Sequence, residues 1–347
     1  MEHHKIKIGI TQGDGNGTSY EVMLKSFLEQ HIQEICTPVV YGSPKIAAYY
    51  RKALNINNFS FNPADNADNV QTGKASLINV LDDTAKVELG SATQASGEAA
   101  AVSLERAVAD LSAGKLEALV LNPLPAIGCK TLQVANQFDY VKQKLNASNT
   151  MTMLVNGAMR VALLSDARPM RNIAKSITVD NIVSKLHLLA DALKADFAID
   201  NPRIAVLGYN PNCSDTDNQE FEEKDTIIPA IAQANSEGVL AFGPFDADTM
   251  FGTDLFNRFD AVLAIYYTQG MAPFRALSYD DGVSYILGLP QVCAAPFQSF
   301  GYEEAGNDKA LPGAFQNAVY LACDVTKNRK QYKDLTANKL KTNSLSD

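Results

Sequence analysis

Apolar residues fall in short runs and helical stripes that alternate along the chain. Lys5 to Ile10 reads as a strand, Thr11 to Gly17 as a turn, and a helix opens near Thr18, where Thr18 and Glu21 have capping-box spacing. Pro38 to Gly42 predicts the next strand, and Pro44 starts a helix at the position proline favours. Between Gln94 and Gly114, Leu104, Ala107, Val108 and Leu111 recur at helical spacing, and Gly114 suits the helix end. Leu116 to Leu121 reads as a buried strand. Met151 to Val155 and Arg160 to Leu164 flank Asn156-Gly157, which predicts a hairpin. Ile182, Leu186, Leu189 and Leu193 line a helix over Thr178 to Ala195. Ile204 to Gly208 and Ala261 to Tyr266 are short apolar strands of the kind that a mostly parallel sheet buries. From Lys327 the chain turns polar, predicting a helix end and a loose tail.

Strands alternating with helices over 347 residues, 46% of them hydrophobic, predict two packed α/β lobes, each with its own core. The net charge of −9, with no basic block, argues against nucleic acid or an anionic membrane as a partner. No apolar run approaches the roughly 20 residues of a membrane span, and Met1-Glu2-His3-His4-Lys5 lacks the apolar core of a signal peptide. A cytoplasmic location follows. Five cysteines, Cys36, Cys129, Cys213, Cys293 and Cys323, are odd in number and form no CxxC pair, which predicts reduced thiols.

Several features carry competing readings. Gly13-Asp-Gly15-Asn-Gly17 sits between a strand and a helix, but its GxGxG spacing lacks the last glycine of a dinucleotide fingerprint. A tight turn is the simpler reading, and a loop whose amides approach an anion is the functional one. His187, beside Leu186, reads as a surface or boundary residue. Cys213 and Cys293 read as packing residues, with a thiol nucleophile or thiolate metal site as the alternative. Asp215 to Asp225 suits a helix start or a bound cation. Tyr266 and Tyr267 read as packing and rim, or as a platform for a ring.

The motifs together resemble the 4-hydroxythreonine-4-phosphate dehydrogenases of pyridoxal phosphate biosynthesis. The resemblance rests on Ile10-Thr-Gln-Gly-Asp14 with Gly17 and Glu21, Arg160-Val-Ala-Leu163 with Pro169 and Arg171, Gly208-Tyr-Asn-Pro211, and Asp225-Thr-Ile-Ile-Pro229. It continues through Gly243-Pro with Ala247-Asp-Thr249, Ala261-Val-Leu-Ala264, Tyr266, Gln269-Gly270 and Gly288-Leu-Pro290, spanning about Lys5 to Val325 in order. It implies a two-lobed α/β/α fold like isocitrate and isopropylmalate dehydrogenases, with a cleft between lobes. By that likeness, residues 1–125 with 268–347 form the cofactor-side lobe, and 126–267 form the second lobe and the dimer interface. The implied chemistry is oxidation of a secondary alcohol by NAD or NADP and loss of carbon dioxide, with a divalent metal on three histidines as Lewis acid.

Those histidines are replaced. The likeness places Ala167, Asn212 and Tyr267 at the three ligand positions, and none of His3, His4, His31 and His187 falls in these segments. Alanine has no ligand atom, and a neutral amide or a phenol is no substitute for imidazole. If Ser165 to Ala167 is extended, Asp166 points to the opposite face. The family's Gly-His-Thr-Glu substrate motif corresponds to Asn136-Gln137-Phe138-Asp139, and its lysine segment to Pro123-Leu-Pro-Ala126. Its phosphate-binding arginine corresponds to Cys293, while Arg275 stands where the family has lysine. The cofactor motif corresponds to Pro296, Phe297, Gln298, Ser299 and Phe300. Cleft candidates are therefore Asp14, Gln137, Phe138, Asp166, Gln269, Arg275 and Cys293, with no metal predicted and NAD(P) without its usual residues. A divergent paralogue with impaired or lost activity is expected. The alternatives are altered or metal-free chemistry in the same cleft, and a regulatory role. Partners would be a small phosphorylated ligand and a second chain, in a homodimer or with an active paralogue.

Overall fold

The computed structural model describes residues 5–82, 86–167 and 169–337, so His3, His4 and the tail beyond 337 lie outside the described residues. The first half of the chain forms strands β1 (Ile6–Thr11), β2 (Cys36–Gly42), β3 (Asn62–Ala64), β4 (Ser76–Asn79), β5 (Ala118–Val120) and β6 (Met151–Asn156). The second half adds β7 (Met159–Leu163), β8 (Arg203–Leu207), β9 (Leu240–Phe245), β10 (Ala261–Ala264), β11 (Val283–Leu287) and β12 (Val292–Pro296). Between them run α1 (Ser19–Leu28), α2 (His31–Ile35), α3 (Pro44–Ala53), α4 (Gln94–Ser112), α5 (Ala126–Thr131) and α6 (Gln137–Lys144). They are followed by α7 (Met170–Ile173), α8 (Val179–Phe197), α9 (Ile228–Ser236), α10 (Ala247–Gly252), α11 (Tyr267–Leu277) and α12 (Gly313–Thr336).

All the strands join one sheet in the order β3-β4-β2-β1-β5-β12-β11-β6-β7-β10-β8-β9. Pairing is parallel except in the middle, where β12–β11, β11–β6 and β6–β7 are antiparallel. The hairpin forms as its sequence predicts, but Asn156 pairs with Met159, so the turn is Gly157-Ala158 rather than Asn156-Gly157. Gly157 supplies the positive φ, +55°, that a two-residue turn needs at its first position.

Alternation along each strand sorts side chains to the two faces. On one face the core is unbroken: Ile8 and Ile10 of β1, Met153 of β6, Val206 of β8 and Leu263 of β10 belong to a single buried cluster with Leu186 of α8 and Phe315 of α12. Two self-contained cores were expected; instead β11 and β12 return between β5 and β6 and carry this layer across the middle. On the opposite face the core comes in two pieces. Leu119, Ile286 and Cys293 pack with Leu104, Ala107, Val108 and Leu111 of α4, the stripe read from the sequence. Val161 and Leu207 pack with Met250 of α10 and Phe274 of α11. The gap between these pieces is where a cleft opens.

Two helix ends correct the sequence reading. Thr18 is itself helical (φ −84°, ψ −1°), makes no capping bond, and donates its hydroxyl to the carbonyl of Phe300 at 3.3 Å. Its intended partner Glu21 is fully buried and instead accepts from the amides of Ala310 (2.9 Å) and Gly306 (3.2 Å) and pairs with Lys25. The polar stretch from Lys327 stays helical to Thr336.

Candidate active-site cleft

A cavity of about 310 Å³ lies between the two half-cores, at the carboxyl ends of β7, β10 and β12. That end of an α/β sheet is where small ligands are commonly held. Gln137, Phe138, Asp166, Ala167, Tyr267, Pro296, Phe297 and Gln298 all line it, so segments far apart in sequence meet as the resemblance implied. The side chain of Asn136 accepts from the amide of Asp139 at 3.1 Å and so starts α6. Gln137, the first residue of that helix, accepts from the amide of Leu124 at 3.0 Å and fixes the 123–126 loop against it. Tyr267 opens α11, and Pro296 ends β12.

Asp166, one of the cleft candidates, lines the cavity, and the extended 165–167 segment that would have turned it to the opposite face does not form. Asp166 shares the cavity with Ala167 because β7 ends at Leu163 and the chain bends over 164–167 instead of staying extended. Its carboxylate lies 3.8 Å from the ammonium of Lys142, which is also 3.6 Å from Asp139.

The remaining candidates lie elsewhere. Asp14 is fully buried; its carboxylate accepts from the amide of Asn16 at 2.9 Å and from the hydroxyl of Tyr302 at 2.7 Å. The Gly13–Gly17 loop is thus a self-supporting turn, with Gly13 at φ +66° and the amide of Thr18 donating to Phe300. Gln269 joins two strand ends, accepting from the amide of Ile265 (2.8 Å) and donating to the carbonyl of Gly208 (2.7 Å). Both ends of its amide are used in the scaffold. Cys293 is buried in the sheet, where burial pushes its thiol up to about 12. Arg275 lies over the ring of Phe297, 4.4 Å from its centre, and lines a separate cavity of about 260 Å³ with Lys309, Asp280, Gln298 and Ser299. Asn212 sits exposed in the loop after β8 at φ +56°.

Cys213 is also buried, and burial with the neighbouring Asp246 pushes its thiol up to about 12, so neither it nor Cys293 is an activated nucleophile. All five cysteines are free of disulfides. The acidic stretch supports its own loop: fully buried Glu223 accepts from the amides of Tyr209 (2.8 Å) and Asn210 (2.9 Å) and from the side chain of Asn210 (2.9 Å). Tyr266 meets Tyr209 edge-on, with ring centres 6.1 Å apart, as packing. His187 is a boundary residue bonded to Glu237. The sequence reading missed Lys142, Thr152 and Ser284, which line the cleft. Thr152 and Ser284 carried a signal, each being a lone polar residue inside an apolar strand.

The parallel-and-antiparallel α/β sheet with a small cleft at its strand ends places the chain among α/β proteins. The family model for the pyridoxal phosphate biosynthetic protein PdxA matches residues 34–322. The 4-hydroxythreonine-4-phosphate dehydrogenase of Bacteroides thetaiotaomicron is 39% identical over 345 residues, covering 98% of this chain and 94% of that protein. The protein of the same name from a Sulfurihydrogenibium species is 31% identical over 94% of this chain and all of its own length. Among solved structures, the 4-hydroxythreonine-4-phosphate dehydrogenase of Klebsiella pneumoniae superposes with a TM-score of 0.78 at 21% identity, over 94% of this chain and 99% of that one, a likeness of fold. The chain belongs to the 4-hydroxythreonine-4-phosphate dehydrogenase family. None of its described helices is long and apolar enough to cross a membrane.

Proposed function

We propose that this chain is a divergent member of its family that has kept a ligand cleft and has impaired or lost metal-dependent oxidation of 4-hydroxythreonine 4-phosphate. The observation that carries this reading is the donor set. Ala167 and Tyr267 line the cleft, and among the described lining residues there is no imidazole and one carboxylate, Asp166, which faces Lys142. Among the described residues no group of three or more histidine, cysteine, aspartate or glutamate side chains is arranged to hold an ion. A methyl group, an amide and a phenol do not fit a divalent metal, which takes three or four imidazole, thiolate or carboxylate ligands. The nicotinamide cofactor, which supplies the hydride acceptor when bound, would meet Arg275, Lys309 and Gln298 beside the cleft. The side-chain nitrogen of Gln298 is buried without a protein partner, a donor available to such a ligand.

One feature favours a second reading, altered chemistry without metal. Asp166 and Lys142 bring a carboxylate and an ammonium to the cleft wall, a pair able to move a proton at a bound ligand. In either reading, residues 1–125 with 268–347 act as one lobe and 126–267 as the other; the sheet order, which sets β12 between β5 and β11, supports that division. The partner is a second copy of this chain or a histidine-complete relative, following the dimer that the resemblance implies, and the location is cytoplasmic.

A single-turnover assay tests the reading, with protein in excess over 4-hydroxythreonine 4-phosphate, NAD or NADP, and zinc or magnesium. The expected outcome is no reduced nicotinamide, while a histidine-complete relative reacts in the same conditions. Removing a metal that stabilises a developing oxyanion costs several kcal/mol of barrier, hence orders of magnitude in rate. Reduction that disappears on chelation would overturn the proposal, and reduction that survives chelation would select the metal-free reading.

A further inference from the structure

We propose that a second cavity, opening beside the cleft, is a subsite for a phosphate monoester or similar small dianion, and that it receives the charged end of the ligand whose remainder lies in the cleft. The second clause rests on the reading of the cleft as a ligand site. The first stands without it.

The cavity measures about 570 Å³, and Lys142, Leu163 and Asp166 line both it and the cleft. Three ammonium groups converge on it from separate places: Lys142 of α6, Lys175 between α7 and α8, and Lys185 in the second turn of α8. Asp139 and Asp166 are the carboxylates on the same wall, both of them against Lys142. Lys185 is half-buried, and its bonds run to neutral oxygens, the side chain of Asn149 at 2.9 Å and the carbonyl of Thr150 at 2.8 Å. Burial pulls its pKa down, offset in part by the charge of Asp166 and reinforced by that of Lys142. Lys175 has no hydrogen bond or ion pair among the described residues. Ser165 is 5% exposed and lines this cavity, and its buried hydroxyl has no hydrogen-bond partner among the described residues. A buried hydroxyl left unpaired in a lysine-lined cavity is a donor waiting for an acceptor. Thr178 and Asn181 place the start of α8, a 19-residue helix, on the same wall, where its dipole favours negative charge.

The other places for a phosphate have been dismantled. Cys293, at the position of the family's arginine, is buried in the sheet, and Arg275 faces a different cavity. Among the described residues Lys142 is the one cation lining the cleft itself, and it stands at the junction of the two cavities. A phosphorylated ligand seated against Phe138 and Tyr267 therefore finds its counter-charge in the lysine cavity.

Calorimetric titration at fixed ionic strength, with chloride as the background anion, tests this with inorganic phosphate, 4-hydroxythreonine 4-phosphate and unphosphorylated 4-hydroxythreonine. Inorganic phosphate is expected to bind the native protein saturably, to weaken tenfold or more in Lys175→Glu and several-fold in Ser165→Ala, and to be unchanged in Phe138→Ala. Neither Lys175 nor Ser165 makes a side-chain bond that folding would lose, and an unchanged thermal midpoint verifies this in each variant. Equal phosphate affinity in native protein and Lys175→Glu, or no saturable binding at all, overturns the subsite. The ester should bind more tightly than inorganic phosphate and lose that advantage in Phe138→Ala. Should it bind no better than inorganic phosphate while Lys175→Glu still abolishes both, the anion subsite stands and the cleft reading falls.

Discussion

Off the cleft lining, Glu223 holds the loop after β8, accepting from the amides of Tyr209 and Asn210 and from the side chain of Asn210, and Gln269 ties two strand ends through both ends of its amide. On the cleft wall, Ala167, Tyr267 and Phe297 make no such bonds. The two regions are neighbours, yet the first is built of buried, fully paired polar groups and the second of small, aromatic and half-exposed ones. A side chain whose hydrogen bonds all run to backbone is constrained by folding itself, since its loss strands buried donors and acceptors. A side chain that faced only a metal or a phosphate is released once that ligand is no longer used. On the function proposed above, braces kept around a replaced lining mark a family scaffold in which selection on the original chemistry has been relaxed or redirected.

Stability measurements can break this comparison. Glu223→Ala is expected to have the largest effect, because it leaves the amides of Tyr209 and Asn210 unsatisfied in a fully buried setting. Hydrogen bonds to a charged group are worth about 1.5–3 kcal/mol each, so a loss of about 3–5 kcal/mol should appear in urea unfolding. Glu223→Gln, which keeps an acceptor, should recover roughly half. Gln269→Ala comes next, at about 1–3 kcal/mol, for the stranded amide of Ile265 and carbonyl of Gly208. Ala167→Ser, on the exposed wall, is the matched control and should stay within about 0.5 kcal/mol of the native protein. A wall substitution as costly as a brace substitution would show that the lining, too, is part of the fold.

The contrast also explains which parts were legible in the sequence. The α4 stripe and the β6–β7 hairpin were visible because periodicity and turn chemistry are local. The assembly of Gln137, Phe138, Ala167, Tyr267 and Pro296 to Gln298 around one cavity followed from motif order. Which wall Asp166 faces depends on where β7 stops bonding, a property of the neighbouring strand β10 that the sequence left conditional. Gln269 and Asp14 were read as ligand contacts because a polar residue in a motif looks the same whether it serves a loop or a substrate. Lys142, Lys175 and Lys185 share no motif, and only the fold, which sets α6 and the start of α8 around one cavity, brings them together. Thr18 and Glu21 had the right spacing for a capping box, but the 300–310 segment claimed both side chains.

The smallest expected effect concerns Cys293, which sits where the resemblance puts a phosphate-binding arginine. If the position still faced a ligand site, its thiol would titrate as in water; buried in the sheet, it is held up to about 12 against an ordinary 9.0. The folded state therefore keeps its proton where the unfolded chain loses it. The thiol's contribution is fully present below about pH 9 and is lost as pH rises through 9 toward 12. At pH 10 the unfolded thiol is about ten parts ionised to one neutral, which lowers stability by about 1.4 kcal/mol relative to pH 8. Cys293→Ala removes this increment and adds a pH-independent packing offset, whereas the buried tyrosines Tyr20 and Tyr50 titrate alike in both proteins. Urea unfolding of the two proteins from pH 7 to 10.5 should give curves that converge by about 2 kcal/mol at the alkaline end. Parallel curves would mean that the thiol is solvated, that position 293 opens onto the cleft, and that the phosphate site of the family has been altered in place instead of closed.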